Sequence, residues 1–395
     1  MLPLNGVRVL AVEQYGAGPF GTMFLADQGA EVIKIENPND GGDMSRAVGP
    51  HFFAPGDSEF FHSFNRNKKS LTLDLSRPQG QAVLHDFVRS ADALASNLRG
   101  DVPVKLGLVY DRLKVHNPKI VCAHLSAYGR GGPRAEWPGF DYLMQAEAGY
   151  FSLTGEPGAP PARFGLSIVD YMSGLGLAYA LLAALTAARA TGAGRDIDVS
   201  LFDMALFNTA YQATWYLNEG VVTGRLPRSA HAALTPCQLY RARDGWIYIM
   251  CNKEKFWPAL CEKLGRPEWI EDSRFRLFPD RLRHRDLLTE MLDRELQQRT
   301  TAEWLALFAG VVPAAPIYDL AQALENPFVT EHGRLQRLSH PERGSYRMVA
   351  SPVHCAGEQP PARPAPALGE HTEELLREIG YDDARIRALR ASKVI

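Results

Sequence analysis

The sequence predicts an α/β fold: a large domain on a parallel sheet, and a smaller α+β domain. Three observations carry this. Short β-branched runs alternate with helical segments through the first half of the chain. A glycine- and proline-bearing turn joins the first run to the first helix. The texture then changes near residue 225, where a hairpin pattern and Glu/Leu/Arg-rich helices take over.

The opening "GVRVLAVEQ" has the length and β-branching of a strand. In "YGAGPFGTMFLADQGAEVIKIE" the turn, the apolar Met23, Phe24 and Leu25, the stop at Gly29 and the run Val32 to Ile35 read as strand–helix–strand. "KSLTLDL" is a strand, and "PQGQAVLHDFVRSA" a helix with Pro78 near its first turn, where a missing N–H costs nothing. "DALASNL", "YDRLKVHNP" and "KIVCAHLSAYG" continue as strand, short helix and strand. Such alternation implies a parallel sheet covered on both faces. A long helix runs from Asp170 to about Arg189, and "GRDIDVSLFDMALFNTAYQATWYL" gives a strand and one more helix. "LYRARDGWIYIMCN" is a hairpin about Asp244–Gly245, helices follow to about residue 310, and "VPAAPIYDLAQALENP" returns to strand–helix. The expected division is 1–224, 225–325 and 326–395, and the final stretch from Pro360 reads as a Pro-rich extended segment followed by polar helices.

At 46% hydrophobic and 22% charged residues the chain is an ordinary globular protein, not a disordered one. A net charge of −2 offers no basic field for nucleic acid or an anionic membrane, so neither is an expected partner. The five cysteines form no CxxC pair, which argues against both a disulfide framework and a zinc site. The N-terminus lacks a basic n-region and an apolar h-region. The stretch after Asp170 is the best membrane candidate, but Gly, Ser and Tyr dilute it and no basic anchor precedes it, so it reads as a core helix. A reducing, cytoplasmic setting is expected.

Gly16, Gly18 and Gly21 spell G-x-G-x-x-G between a strand and a helix, and Glu36 follows about twenty residues on. This is the dinucleotide signature of a Rossmann fold: tight turn, close approach to a pyrophosphate, an acid for the ribose. Pro19, however, removes an N–H where the phosphate would bind. A Rossmann-like turn without a dinucleotide is the favoured reading, with an NAD-dependent dehydrogenase as a minor alternative.

"GLSIVDYMSGLGLAYALLAAL", residues 165–185, holds one charged residue, Asp170. Aspartate is a favoured helix N-cap. The same geometry suits a nucleophile: the helix pole favours the anion, an apolar pocket hydrates it poorly, and Gly174 and Gly176 admit a close neighbour. On the residues alone, capping stands ahead of catalysis.

Landmarks along the whole chain change that balance: "GVRVLAVEQYGAGPFGTMFLADQGAEVIKIENPNDGGDMSR", "NRNKKSLTLDL", "ADALASNLRGDVPVKLGL", "GRGGPRAEWPGFDYLMQAEAG", "LSIVDYMSGLG", "GRDIDVSLFDMAL" and "PAPALGEHTEELL". In this order they resemble the family III (CaiB/BaiF-type) CoA-transferases. The resemblance implies a Rossmann-like large domain built from both chain ends, a small domain on two linkers, and an interlocked homodimer. It implies that Asp170 attacks an acyl-CoA thioester, forming an aspartyl anhydride and then an aspartyl-CoA thioester, with coenzyme A as the carried group, a small carboxylic acid as acceptor, and no metal or redox cofactor needed. It places the CoA site at Gly16, Ala17, Leu73, Asp74, Leu75, Ser76, Asn97, Leu98, Arg99, Lys105, Trp137, Pro138, Gly139 and Phe140, with Lys105 at a basic position suited to the phosphates. Asp141 matches an acidic position near the nucleophile, there to orient it or to cap the following helix, and Gln14 is a candidate amide donor near the reacting carbonyl.

Three departures stand out. Gly16 lies where some transferases carry glutamine; Asn37, within the CoA site, lies where an arginine often contacts CoA; "MCNKEKFW" replaces a glycine-rich flap. Lys253 in that segment is a candidate for the second carboxylate of a dicarboxylic substrate, or a plain surface lysine. The related α-methylacyl-CoA racemases place a histidine before the acid of a "GHD" segment. Here "GFD" puts Phe140 there, and a phenyl ring exchanges no proton, so transferase is preferred over racemase. His124 would restore racemisation only if folding brought it to the substrate.

Overall fold

The computed structural model describes residues 1–358 and 360–395. The chain forms two compact units: Met1–Ala148 with Phe164–Ala210 and Thr330–Ile395, and Gly149–Arg163 with Tyr211–Val329. The second unit thus takes in 149–163 and 211–224 besides the residues from 225 onward.

The first unit is built on six strands: β1 (Arg8–Val12), β2 (Glu31–Glu36), β3 (Lys69–Thr72), β4 (Ala93–Ser96), β5 (Val121–Ser126) and β6 (Arg195–Ser200). They lie in the order β3-β2-β1-β4-β5-β6, and every pairing is parallel. This is the doubly wound order, whose direction of winding reverses between β1 and β4. Its central strands are buried along their length, as the uninterrupted apolar runs require.

Helices α1 (Ala17–Asp27), α2 (Pro78–Val88), α3 (Asp141–Glu147) and α4 (Ile168–Thr191) matter most for the site. Leu10, Ile33, Leu71, Leu94 and Cys122 of the sheet pack with Val83, Leu84 and Phe87 of α2. The same core receives Leu375, Leu376 and Ile386 from the C-terminal helices Thr372–Glu378 and Asp383–Ala391, so both chain ends build this unit. Each large apolar side chain buried there contributes about 1.5–3 kcal/mol.

α4 is long and apolar enough by composition to cross a bilayer, but half of its most apolar stretch is buried in protein. It packs on α1, β5 and β6. The contact with α1 is backbone to backbone: a Cβ on Gly21 would fall 2.2 Å from the Gly174 carbonyl oxygen, and one on Gly174 2.4 Å from that of Ala17. After β6 the expected single helix is two, Leu201–Phe207 and Ala210–Glu219, because Ala210 adopts a left-handed φ of 44°.

A hairpin, Leu335–His340 with Gly344–Val349, was not evident from sequence periodicity; it is tied to the first unit through Asp57. The two carboxylate oxygens of Asp57 meet His62 Nε2 and His340 Nε2, each at 2.7 Å. His340 Nδ1 accepts the Arg343 amide at 3.1 Å, so the ring proton sits on Nε2 and points at Asp57. This cluster is therefore a hydrogen-bonded latch.

In the second unit β7 (Cys237–Ala242), β8 (Gly245–Met250) and β9 (Ala314–Pro316) form an antiparallel sheet; the hairpin turn is Arg243–Asp244, one residue before the expected Asp244–Gly245, because Gly245 already pairs with Ala242. Tyr240, Ile247 and Ile249 pack against Trp257, Leu260, Leu288, Leu292, Trp304 and Phe308 of the surrounding helices.

The α1–α4 contact leaves no room for a methyl group. Gly21→Ala is expected to destabilise the protein by about 2–3 kcal/mol in denaturant unfolding. Gly131→Ala, whose Cβ would meet nothing within 4 Å, serves as the neutral control.

Candidate active site

The loops leaving β1 and β4 carry the turn on which the site is built. Asn97 clamps Gln14 from both sides: Oδ1 accepts the Gln14 amide at 2.7 Å and Nδ2 donates to its carbonyl at 2.7 Å. Asp43 accepts the Tyr15 amide at 3.0 Å, holding that residue at φ 67°, a conformation rare for an aromatic residue. Beneath the turn lies a buried charge network. Lys34 meets Asp43 at 2.8 Å and the Glu13 carbonyl at 3.0 Å; Lys68 meets Glu13 at 2.7 Å and the Pro19 carbonyl at 2.9 Å. Burial pushes the Lys68 ammonium down to about 8, against the pull of Glu13.

Asp170 is the third residue of α4 and 9% exposed. The N-cap position belongs to Ser167, and the Asp170 carboxylate makes no cap bond. The capping reading fails because the helix begins two residues earlier than expected. A Cβ on Gly16 would fall 2.8 Å from Asp170 Oδ2, so glycine at that position lets the start of α1 lie against the carboxylate. Burial, and then the charge of Asp141, push Asp170 up to about 7.

Asp141 opens α3 and is buried. Its Oδ2 accepts the Asp170 backbone amide at 2.9 Å, and Oδ1 accepts from Gln145 Nε2 at 2.6 Å. Gln145 in turn accepts the Phe164 amide at 2.9 Å. Asp141 thus holds the first turn of α4 from a neighbouring helix, and it is a positioning residue outside the cavity lining.

A cavity of about 280 Å³ opens on Asp170. Gln14, Gly16, Ala17, Asn97, Leu98 and Arg99 form one side of it. Trp137, Pro138, Gly139 and Phe140 line it too, with Tyr15 and Met44, which the sequence reading did not single out. A second cavity of about 260 Å³ is lined by Asn37, Leu73, Asp74, Leu75 and Ser76 and shares Gln14 and Leu98 with the first. Both follow the carboxyl ends of the strands at the switch point, where open parallel sheets bind ligands. Lys105 lines neither cavity; its ammonium lies 2.5 Å from Asp101, which also holds Arg99 at 2.6 Å. Lys253 is exposed in the second unit, after β8.

The dinucleotide fingerprint is taken up by packing. Gly16 meets Asp170, Gly18 would place a Cβ 2.7 Å from Asn97 Cγ, and Gly21 meets Gly174. Glu36 is bound by Arg46 through two contacts of 2.8 Å and by Ser70 at 2.6 Å, so its carboxylate is committed within the protein. His124 is buried between Ser96 at 2.8 Å and Asp196 at 3.0 Å and does not line the Asp170 cavity, whereas Phe140 does.

The sequence profile of CoA-transferase family III matches residues 4–372. The chain belongs to CoA-transferase family III. It is 33% identical to the succinate–glutarate CoA-transferase of Agrobacterium fabrum, covering 95% of this chain and 96% of that one. It is 34% identical to the acetyl-CoA:oxalate CoA-transferase of Acetobacter aceti over 97% of each chain. The crystal structure of a CaiB/BaiF family protein from Brucella suis superposes with a TM-score of 0.80 at 30% identity, covering 96% of this chain and 99% of that one. The protein is therefore an enzyme of this family, with a CoA thioester as substrate.

In this family III enzyme sequence reading missed Tyr15 and Met44, which face the cavity, and also residues that hold the site rather than face it: Asp43, Lys68 and Gln145. Asn65, Arg66, Asn67 and Lys68 are all buried, although their polarity marks them as surface residues. Arg66 and Asn67 both bind Asp27 at the end of α1, at 2.6 and 2.7 Å.

The Asp170 shift fixes a stability effect. Its folded-state value lies above the unfolded one, so the cost is absent below about pH 4 and complete above about pH 7. Asp170→Asn is expected to stabilise the fold at pH 8 by about 2–4 kcal/mol and to change little at pH 4, read by thermal unfolding at both pH values. Asp141→Asn keeps an acceptor for the Asp170 amide but removes a charge, so the titration of Asp170 is expected to move down by about one pH unit, seen by carboxyl-specific infrared or NMR titration.

Proposed function

We propose that the protein moves CoA between an acyl-CoA donor and a carboxylic acid through a covalent adduct on Asp170. The observation that carries this reading is a poorly hydrated carboxylate that faces a cavity at the amino end of α1. An Asp170 oxygen attacks the thioester carbonyl carbon, the C–S bond breaks, and CoA leaves as thiolate with the electron pair. The resulting mixed anhydride is attacked at the Asp170 carbonyl by the thiolate, which expels the donor acid as carboxylate and leaves an aspartyl-CoA thioester. The acceptor carboxylate then displaces the thiolate to form a second anhydride. Attack of the thiolate on the acceptor acyl carbon yields the new thioester and restores the Asp170 carboxylate. No proton is consumed in the cycle.

The fold supplies what these steps need. The first amides of a helix have no intrahelical acceptor, and the pole of α1 is positive, so oxyanions formed beside Gly16 and Ala17 are stabilised. An anhydride also requires exclusion of water, which the apolar faces of Trp137, Pro138 and Phe140 favour.

The names of the relatives point to short dicarboxylic acids as the substrate class: succinate and glutarate for one, oxalate for another. A homodimer, interlocked as in the family, accords with the exposed Leu175, Tyr179, Leu206 and Phe207 of the first unit. A cytoplasmic setting completes the reading.

The test is covalent. Incubation with acyl-CoA donors followed by hydroxylamine and mass spectrometry is expected to convert Asp170 to its hydroxamate. Asp170→Ala is expected to lose transfer by at least ~10³-fold while still binding CoA. Normal turnover by that variant would end the proposal.

A further inference from the structure

The second cavity has an unusual lining for a site that receives a phosphorylated nucleotide. Leu73, Leu75, Leu98 and Leu106 give it apolar walls, and Glu13, Glu36, Asp40, Asp43 and Asp74 stand between them. Among the described residues its lining contains no Lys, Arg or His. The cations that balance these carboxylates belong to other surfaces. Lys68, Arg46 and Lys34 are buried partners of Glu13, Glu36 and Asp43. Arg77 binds Asp74 at 3.1 Å and directs its other arm to the Ser392 carbonyl at 2.7 Å. Asn37 is also committed: its Nδ2 donates to Asp40 at 3.1 Å and its Oδ1 accepts the Asn39 amide at 3.0 Å.

This chemistry sorts the parts of CoA. The adenine amino group and the ribose hydroxyl donate hydrogen bonds, which carboxylate oxygens accept, and leucine walls suit the faces of the ring. The 3′-phosphate is a dianion that only accepts; the carboxylates here are already paired or bonded within the protein, and among the described lining residues no cation is left to receive it. The diphosphate differs, since Arg99 lines the neighbouring cavity and Lys105 shares its Asp101 partner.

We propose that this cavity takes the adenosine portion of the CoA thioester and leaves the 3′-phosphate in solvent, so that 3′-dephospho-CoA thioesters serve this protein about as well as CoA thioesters. The proposal rests on the CoA-transfer reading above. It is tested by titration calorimetry of the full chain with CoA and with 3′-dephospho-CoA, and by transfer rates from the matching acetyl and succinyl thioesters. The dissociation constants and the kcat/KM values are expected to agree within about fivefold, the size of a screened surface contact. Asn37→Arg places a cation at the rim and is expected to shift the ratio toward the phosphorylated form by about five- to tenfold; the ratio is internal to each variant. A wild-type preference for CoA above about tenfold overturns the proposal, and so does an Asn37→Arg ratio equal to that of wild type. If CoA neither binds nor reacts, the transfer reading itself falls and this proposal falls with it.

Discussion

The approach of α1 to α4 is the constraint from which the site follows. Two helices with ordinary side chains between them stand 8–10 Å apart. Here Gly21 and Gly174 remove the spacer, and the backbone of each helix lies against that of the other. The first turn of α4 is thereby pressed to the first turn of α1, and Asp170 comes to rest against Gly16. A carboxylate on the flank of a helix would otherwise face solvent or a wall of side chains. Placed here it lies against the start of α1 on one side and faces a cavity on the other. The glycines that resemble a phosphate-binding turn thus serve a protein–protein contact within one chain.

That contact needs a rigid turn beneath it, and the buried charges provide one. Glu13, Asp43, Lys34 and Lys68 tie β1, the 43–46 segment and the 65–68 segment to the start of α1. Burying such a network costs several kcal/mol per ion before the ions attract one another, so its stability benefit is small. Its geometric effect is large. Each charge has its partner in only one arrangement of the three segments, and that arrangement holds Tyr15 in its left-handed conformation. Removing Lys34 leaves the buried Asp43 without its cation, and removing Lys68 leaves Glu13 only the more distant Lys34 at 3.8 Å, so the network favours a single geometry for the loop.

Most of the first-unit sheet was legible in the sequence because parallel strands are buried on both faces and announce themselves as apolar runs. The strand at Val121–Ser126 and Pro78 at the first turn of α2 are where pattern alone puts them. The exact start of α4 was not legible, since Asp170 and Ser167 are equally good N-cap residues in isolation, and only packing decides between them. The cavity-lining residues near Asp170 could be named from family resemblance, and the structure brings Gln14, Gly16, Asn97, Leu98, Arg99 and the 137–140 segment together. Residues that act through others, such as Gln145 and Lys68, leave no signal of their own. Their polarity matches that of surface residues, and the contacts that bury them join segments distant in sequence, Lys68 with Glu13 and Gln145 with Phe164.

Asp170 shows how one environment sets both a proton affinity and a reactivity. Burial and Asp141 destabilise the carboxylate anion relative to its neutral acid, which is what a value near 7 records. Each unit of such a shift is worth about 1.36 kcal/mol. In the proposed cycle the anhydride and the aspartyl thioester are also neutral at that carboxyl group, so the same burial and the same neighbouring charge favour them over the free anion. The bias amounts to about 4 kcal/mol if the adduct is treated as equivalent to the protonated acid. Asp141 therefore has two linked effects: its hydrogen bond fixes the backbone that carries Asp170, and its charge destabilises the resting anion relative to a neutral form of that carboxyl group.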